Sequence, residues 1–311
     1  MPESQKSPPI PPKIAIIFAI LAVSIASILI RFTQDRVSSI VIAAYRLGLS
    51  TLVLAPLAVL KHASALRKLS RRDLGLGLLS GVFLAIHFAT WIKSLEYTSV
   101  ASSVVLVTTT PLWVALLSPL FLKETISRNI STGLVLALGG AMVIGLGDAC
   151  VLEAGLTCPP LGTFFSGTAF LGDLLALCGA FAAAGYVIIG RTLRAKLALV
   201  PYVFLVFGAA AVLLVILAFT SGRPVSGFSP EIYLYLILLA LVPQLIGHST
   251  FNWALGFLPA AYVAVTLLGE PIGSSILAYL ILGEAPGKIT LFGAILVLGG
   301  ILVASRPANQ E

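Results

Sequence analysis

Charge is what this chain has least of. Only 10% of its 311 residues are Asp, Glu, Lys or Arg, against 59% that are hydrophobic. A water-soluble domain carries about 25% charged residues, so no separate soluble domain is expected. Cysteine is scarce too, with three in all, and no C-x-x-C pair or His/Cys cluster has the spacing of a metal site. There is no P-loop, which argues against ATP hydrolysis by this chain, and no cofactor is expected. Neither an H-E-x-x-H nor a G-x-S-x-G motif occurs. An intramembrane enzyme acting on lipid needs a nucleophile–base pair or metal ligands at one depth. This sequence supplies neither, so the chain is not read as an enzyme. Ten-residue alternating strands are also missing, which excludes a transmembrane β-barrel.

What the chain has is long apolar blocks. Runs of about 18 or more apolar residues are long enough to cross a bilayer as helices. Ten are counted, at about 14–30, 38–60, 74–94, 99–122, 130–147, 169–190, 199–219, 232–255, 260–282 and 288–304. The connections are short except for 148–168. Residues 1–13 are Pro-rich and polar and read as a disordered tail, with a second short tail at 305–311. No small-residue cleavage site follows the first block, so it reads as a retained helix.

The net charge of +7 is distributed asymmetrically. With the N-terminus inside, that side receives Lys6, Lys13, Lys61, Arg67, Lys68, Arg71, Arg72, Lys123, Arg128, Arg191, Arg194, Lys196 and Arg306. The other side receives Arg31, Arg36, Lys93, Arg223 and Lys288. Thirteen against five is a positive-inside bias and places both termini in the cytoplasm, in the cell (inner) membrane. The basic run from Lys61 to Arg72 is then a loop facing anionic headgroups, not a nucleic-acid surface. Cys150 and Cys158 share the external loop 148–168, where a disulfide between them is expected to order the loop.

The chain also repeats itself. Thr110-Pro111 with Glu124 matches Glu270-Pro271 with Glu284 at an offset of 160 residues. Gly133 falls on Gly293, Gly139-Gly140 on Gly299-Gly300, and Arg31 on Arg191 at the same offset. The units are 14–147 and 169–304, with five segments each. Because five is odd, the second copy enters the membrane from the opposite side. The expected fold is therefore an all-α integral membrane protein: ten helices in two inverted five-helix repeats around a central cavity. In such a protein the substrate site lies between the copies. Pro111 and Pro271 fall near mid-segment. Each is expected either to open the backbone toward the central space or simply to kink its helix.

A charge at the bilayer centre costs about 2.5–3.5 kcal/mol on insertion scales, so polar residues inside the blocks are informative. Tyr262, Thr266 and Glu270 are four apart and share a helical face, flanked by Gly269 and Gly273. Glu270 could carry a proton, bind a substrate amine, or tie helices together by pairing with Arg46. Gln244, His248 and Asn252 form a second such face, suited to a polar substrate or to interhelical hydrogen bonds. His87 and Trp91, at i+4, place a hydrogen-bonding ring beside an aromatic one and suit a flat ring or a cation. Arg46 stands inside the second segment and could neutralise a carboxylate of the substrate or of Glu270. Glu124 and Glu284 end their segments and are expected to organise the following turns.

These features resemble the EamA family of the drug/metabolite transporter superfamily. The resemblance rests on the five-plus-five duplication and on Pro111 with Leu122-Lys123-Glu124 and Pro271 with Leu282-Gly283-Glu284. It rests as well on His87-Phe88-Ala89-Thr90-Trp91, on Leu95-Glu96-Tyr97-Thr98-Ser99 and on the Gly-rich stretch Gly293 to Gly300. It covers about residues 14–304 and implies a basket of two repeats around a cavity. It also implies export of a small amphipathic metabolite such as an amino acid. Partners are then the substrate, the lipid bilayer and, if transport is proton-coupled, protons, with no nucleic acid and no obligatory protein partner. Broad drug efflux is the second reading, with Trp91, Trp113, Tyr186, Phe204, Trp253 and Tyr262 lining a permissive pocket.

Overall fold

The computed structural model describes residues 10–122, 128–149, 151–152, 156–157, 167–254, 256–257, 263, 266–267, 269–304 and 306. Nearly all of them are helical, as lipid requires: backbone groups with no water to bond must satisfy one another within the segment. In order, the helices of the first half are α1 (Pro12–Ser24), α2 (Ala26–Gln34), α3 (Ser39–Arg67), α4 (Arg71–Ser94), α5 (Val100–Val107), α6 (Thr110–Leu122) and α7 (Arg128–Ala149). A two-residue antiparallel pair follows, β1 (Val151–Leu152) with β2 (Leu156–Thr157), Val151 opposite Thr157. The second half has α8 (Thr168–Arg194), α9 (Leu199–Thr220), α10 (Pro230–Leu239), α11 (Ser249–Ala254), α12 (Gly269–Leu277) and α13 (Lys288–Ala304). Two π-helical stretches, Ala240–His248 and Ala278–Leu282, continue α10 and α12. The proposed cysteine pair, Cys150 and Cys158, lies outside the described residues.

Seven helical spans are long and apolar enough to cross a membrane among the described residues. They are Pro12–Gln34, Ser39–Arg67, Arg71–Ser94, Val100–Leu117, Thr168–Arg194, Leu199–Thr220 and Pro230–Ala254. Three shorter apolar helices, Ser131–Ile144, Gly269–Leu282 and Lys288–Val303, lie where the sequence places its fifth, ninth and tenth segments. Burial is inverted relative to a soluble protein. Leu52, Leu60, Met142, Phe219 and Leu280 are exposed, while Arg46, Ser50, Ser80 and Gln244 are fully buried. The chain is a multi-pass integral membrane protein.

Glycine sets the closest helix approaches. A Cβ on Gly140 would lie 2.7 Å from the Gly293 carbonyl oxygen, and one on Gly300 would lie 2.6 Å from that of Gly133. These contacts join α7 to α13, and the 160-residue offset exchanges one for the other. Gly273 meets Ser24 in the same way, and Ser274 donates to the Ser24 carbonyl at 3.1 Å, seating α12 on α1.

The expected mid-segment kink at Pro111 takes the form of a full break. α5 ends at Val107, Thr108 and Thr109 form a turn, and Pro111 occupies the first turn of α6. There its missing N–H has no helical partner to lose. Threonine hydroxyls take up the loosened carbonyls: Thr108 donates to Val104 and Val105, Thr109 to Leu106 and Thr110 to Val107. Pro271 likewise sits in the first turn of α12.

At one end of the bundle α2, the turn between α4 and α5, α5 itself and the turn before α13 are tied together. Arg31 meets Glu284 at 3.1 Å and donates to the Thr98 carbonyl at 3.0 Å. Glu284 also accepts from the backbone N–H of Val100, capping α5. It follows Gly283, whose φ of 70° is the left-handed turn that ends the π-helical stretch. The organising role expected of Glu284 at its turn is visible here; Glu124 lies outside the described residues.

Candidate functional site

The break between α5 and α6 opens onto a cavity of about 90 Å³. At about 10–15 Å³ per water measured this way, that is room for several waters or a small polar molecule. Its wall is drawn from both halves of the chain. His87 and Trp91 come from α4, and Thr108, Thr110 and Pro111 from the break. Tyr186 comes from α8, His248 from the π-helical stretch Ala240–His248, Asn252 from α11 and Glu270 from α12.

Each polar group is held by a different device. His87 uses Nδ1 on the Gly179 carbonyl of α8 at 3.0 Å; with no side chain on Gly179, the helices come close enough for this. A neutral ring bound this way keeps Nε2 as an acceptor. Its ring lies parallel to that of Trp91, with centroids 6.1 Å apart. Tyr186 donates its hydroxyl to Asn252 Oδ1 at 2.8 Å, and Asn252 Nδ2 donates to the His248 carbonyl at 2.8 Å. Asn252 is thus committed to holding the wall.

Glu270 differs from these. Among the described residues it makes no side-chain hydrogen bond or ion pair, and it faces the cavity. Arg46 acts on it electrostatically without touching it. The alternative that Glu270 simply ties helices by pairing with Arg46 is not what this structure contains. Arg46 instead donates from Nε to Gln244 Oε1 at 2.9 Å and stacks its guanidinium on Phe88, 4.2 Å from the ring centre.

The π-helical stretch explains why the expected Gln244–His248–Asn252 face divides. With bonds closing five residues back, as the backbone N–H of Ser249 on the Gln244 carbonyl illustrates, residues four apart no longer stack. His248 and Asn252 line the cavity, while Gln244 is fully buried behind it against Arg46. The face expected of Tyr262, Thr266 and Glu270 also divides. Thr266 donates to the Val263 carbonyl at 2.7 Å and is not part of the wall, and Tyr262 lies outside the described residues. Of the six aromatic residues suggested for a permissive pocket, Trp91 and Tyr186 line the cavity. Trp113 packs edge-on against Phe181 instead, and Trp253 packs at a tilt against Phe257. Sequence reasoning missed Thr108, and it missed Phe88, which carries Arg46 on one side and meets His248 edge-on at 5.5 Å. Phe88's position beside His87 was the available signal.

The EamA-like transporter family model matches the chain twice, over residues 12–146 and 170–306. The chain belongs to the EamA family. Family membership makes it a secondary transporter of small molecules and not an enzyme. YdfC, an uncharacterized transporter of Bacillus subtilis (strain 168), is 26% identical over 274 residues, covering 86% of this chain and 82% of that protein. An uncharacterized transporter of Archaeoglobus fulgidus is 26% identical over 234 residues, 75% of each chain. One crystal structure of a protein superposes with a TM-score of 0.62 at 18% identity, covering 94% of this chain and 96% of that one. That likeness concerns the fold alone.

Proposed function

We propose that this EamA transporter exports a small amphipathic metabolite, such as an amino acid, by alternating access through the cavity at the α5–α6 break. The observation that carries the reading is Glu270. A carboxyl group without a hydrogen-bonding partner among the described residues, set in an apolar bundle and facing a cavity, is costly unless something enters to meet it. A substrate amine or a proton is the fitting partner. His87 Nε2 offers a further acceptor, and Trp91 and Tyr186 offer apolar faces. His248 adds a second ring.

The proposed architecture is ten helices in two inverted repeats, with both termini cytoplasmic. Two observations support it. The family model matches two successive stretches of similar length. The Gly140–Gly293 and Gly133–Gly300 contacts exchange under the repeat offset, as a pseudo-two-fold axis between α7 and α13 requires. The thirteen-to-five distribution of basic residues supports the orientation.

The test is uptake of a labelled amino-acid panel into proteoliposomes, with and without an imposed pH gradient, for the parent and Glu270→Gln. Saturable uptake that responds to the gradient in the parent and not in the variant assigns proton coupling to Glu270. Saturable uptake indifferent to both makes the chain a facilitator. No uptake of any amino acid overturns the substrate class.

A further inference from the structure

Among the described residues, four buried hydrogen-bond donors beside the cavity have no acceptor. They are Nη1 and Nη2 of Arg46, Nε1 of Trp91 and Nε2 of Gln244. Their residues are neighbours. Gln244 Oε1 holds Arg46 Nε at 2.9 Å, and the guanidinium carbon is 5.7 Å from the centre of the Trp91 ring. Arg46 and Gln244 are 0% exposed and Trp91 3%.

Each such donor costs about 1–3 kcal/mol if left unmet, and more when it is charged. Arg and Trp side chains offer no acceptor, and Gln244 has its oxygen engaged by Arg46. The cluster therefore donates only. It carries one full positive charge and no ion pair among the described residues. What satisfies a donor-only, singly charged cluster is an acceptor of opposite charge. The unpartnered Nη edge of the guanidinium presents two N–H groups in one plane, a match for the two oxygens of a carboxylate.

We propose that Arg46, Trp91 and Gln244 form a binding site for a small monovalent anion, carboxylate or halide. Gln244 is the positioning residue. Its bond to Nε turns the Nη edge of the fork away from itself, and the π-helical register at Ala240–His248 puts it there. Phe88 supports the guanidinium from one face. The site holds whether the anion is part of the transported substrate or an inorganic counter-ion, so it stands apart from the amino-acid reading above.

The test is thermal unfolding of the purified full-length protein, with ionic strength held by a bulky sulfonate salt. Sodium acetate, sodium chloride and neutral acetamide are titrated separately. The melting temperature should rise saturably with acetate or chloride and not with acetamide. Trp91→Phe keeps the ring and removes one donor, so it should weaken the apparent affinity by about tenfold, the worth of one hydrogen bond to a charged acceptor. Arg46→Lys keeps the charge without the fork and should abolish the acetate response. Acetate acting without chloride points to a carboxylate carried by a substrate; chloride acting as well as acetate points to an inorganic ion. No saturable response to either anion in the folded parent overturns the site. So does a Trp91→Phe protein that responds as the parent does. An anion response with no transport of any amino acid would leave the site standing and sink the substrate reading. Amino-acid transport with no anion response would do the reverse.

Discussion

Arg31 and Arg46 are two arginines in one apolar bundle, and they are treated in opposite ways. Arg31 sits at an end of the bundle, half-buried, with a carboxylate at 3.1 Å and a backbone carbonyl at 3.0 Å. Arg46 sits in the interior, fully buried, with one neutral partner and an aromatic face. At the rim, charge is cheap to keep and can be used as a tie between helices. In the interior, a cation costs several kcal/mol to desolvate, and pairing it is the ordinary remedy. A buried cation left without that remedy is poor at stabilising a fold and well placed to receive a ligand.

The largest effect that could break this comparison is expected from Arg46→Met. If Arg46 serves a ligand, the variant should lose transport by about a hundredfold, the worth of one or two charged hydrogen bonds. Its melting temperature should hold or rise, because an apolar side chain replaces an unpaired buried charge. A fall of several degrees with transport retained would make Arg46 a structural residue like Arg31. Transport assays and thermal unfolding on the same preparation decide between these.

Glu270 and Thr110 sharpen the comparison at positions that the repeat equates. Thr110 donates to the carbonyls of Val107 and Ala180, so its polarity is consumed by the backbone. Glu270 is consumed by nothing among the described residues. Glu270→Gln should abolish the response of transport to a pH gradient while leaving the protein folded. Thr110→Val should leave that response intact and cost stability by about 0.5–1.5 kcal/mol, one net hydrogen bond. Equal effects of the two substitutions on transport would remove the distinction.

Much of this was legible in the sequence, and the losses have physical causes. His87, Trp91, Pro111, His248, Asn252 and Glu270 were singled out as polar or irregular residues inside apolar blocks, and all line one cavity. The logic holds because lipid penalises such residues unless they face inward. Gln244 was placed on the wrong face because spacing rules assume bonds four residues back, and the stretch Ala240–His248 closes five back. The form of the irregularity at Pro111 was missed for a related reason. A proline in an apolar run signals trouble in a helix, but three preceding threonines, Thr108 to Thr110, decide that the chain breaks and caps itself instead of bending. The Arg31–Glu284 tie was invisible because it joins residues far apart in the chain with no periodic signal between them. What sequence could offer was only that Glu284 stands at a segment end.

The smallest expected effects concern ion pairs alone and set the scale for Arg31. Lys196 meets Asp73 at 2.9 Å, with the Lys196 side chain 57% exposed. Water competes for the Lys196 ammonium there, so Lys196→Ala should leave the melting temperature unchanged within error. Arg31 and Glu284 are both less exposed than Lys196, at 25% and 32%, and Glu284 has a second task on the Val100 N–H. A double-mutant cycle with Arg31→Gln and Glu284→Gln should therefore give a coupling of about 0.5–1 kcal/mol. Glu284→Gln alone should cost less than Glu284→Ala, because the amide oxygen can still cap α5. If the cycle gives no coupling, Arg31 is held by the Thr98 carbonyl and the tie is a helix cap with a bystander charge. If it gives the expected value, the end of the bundle is closed by a pair weak enough to part during transport, while the interior arginine has no such pair among the described residues.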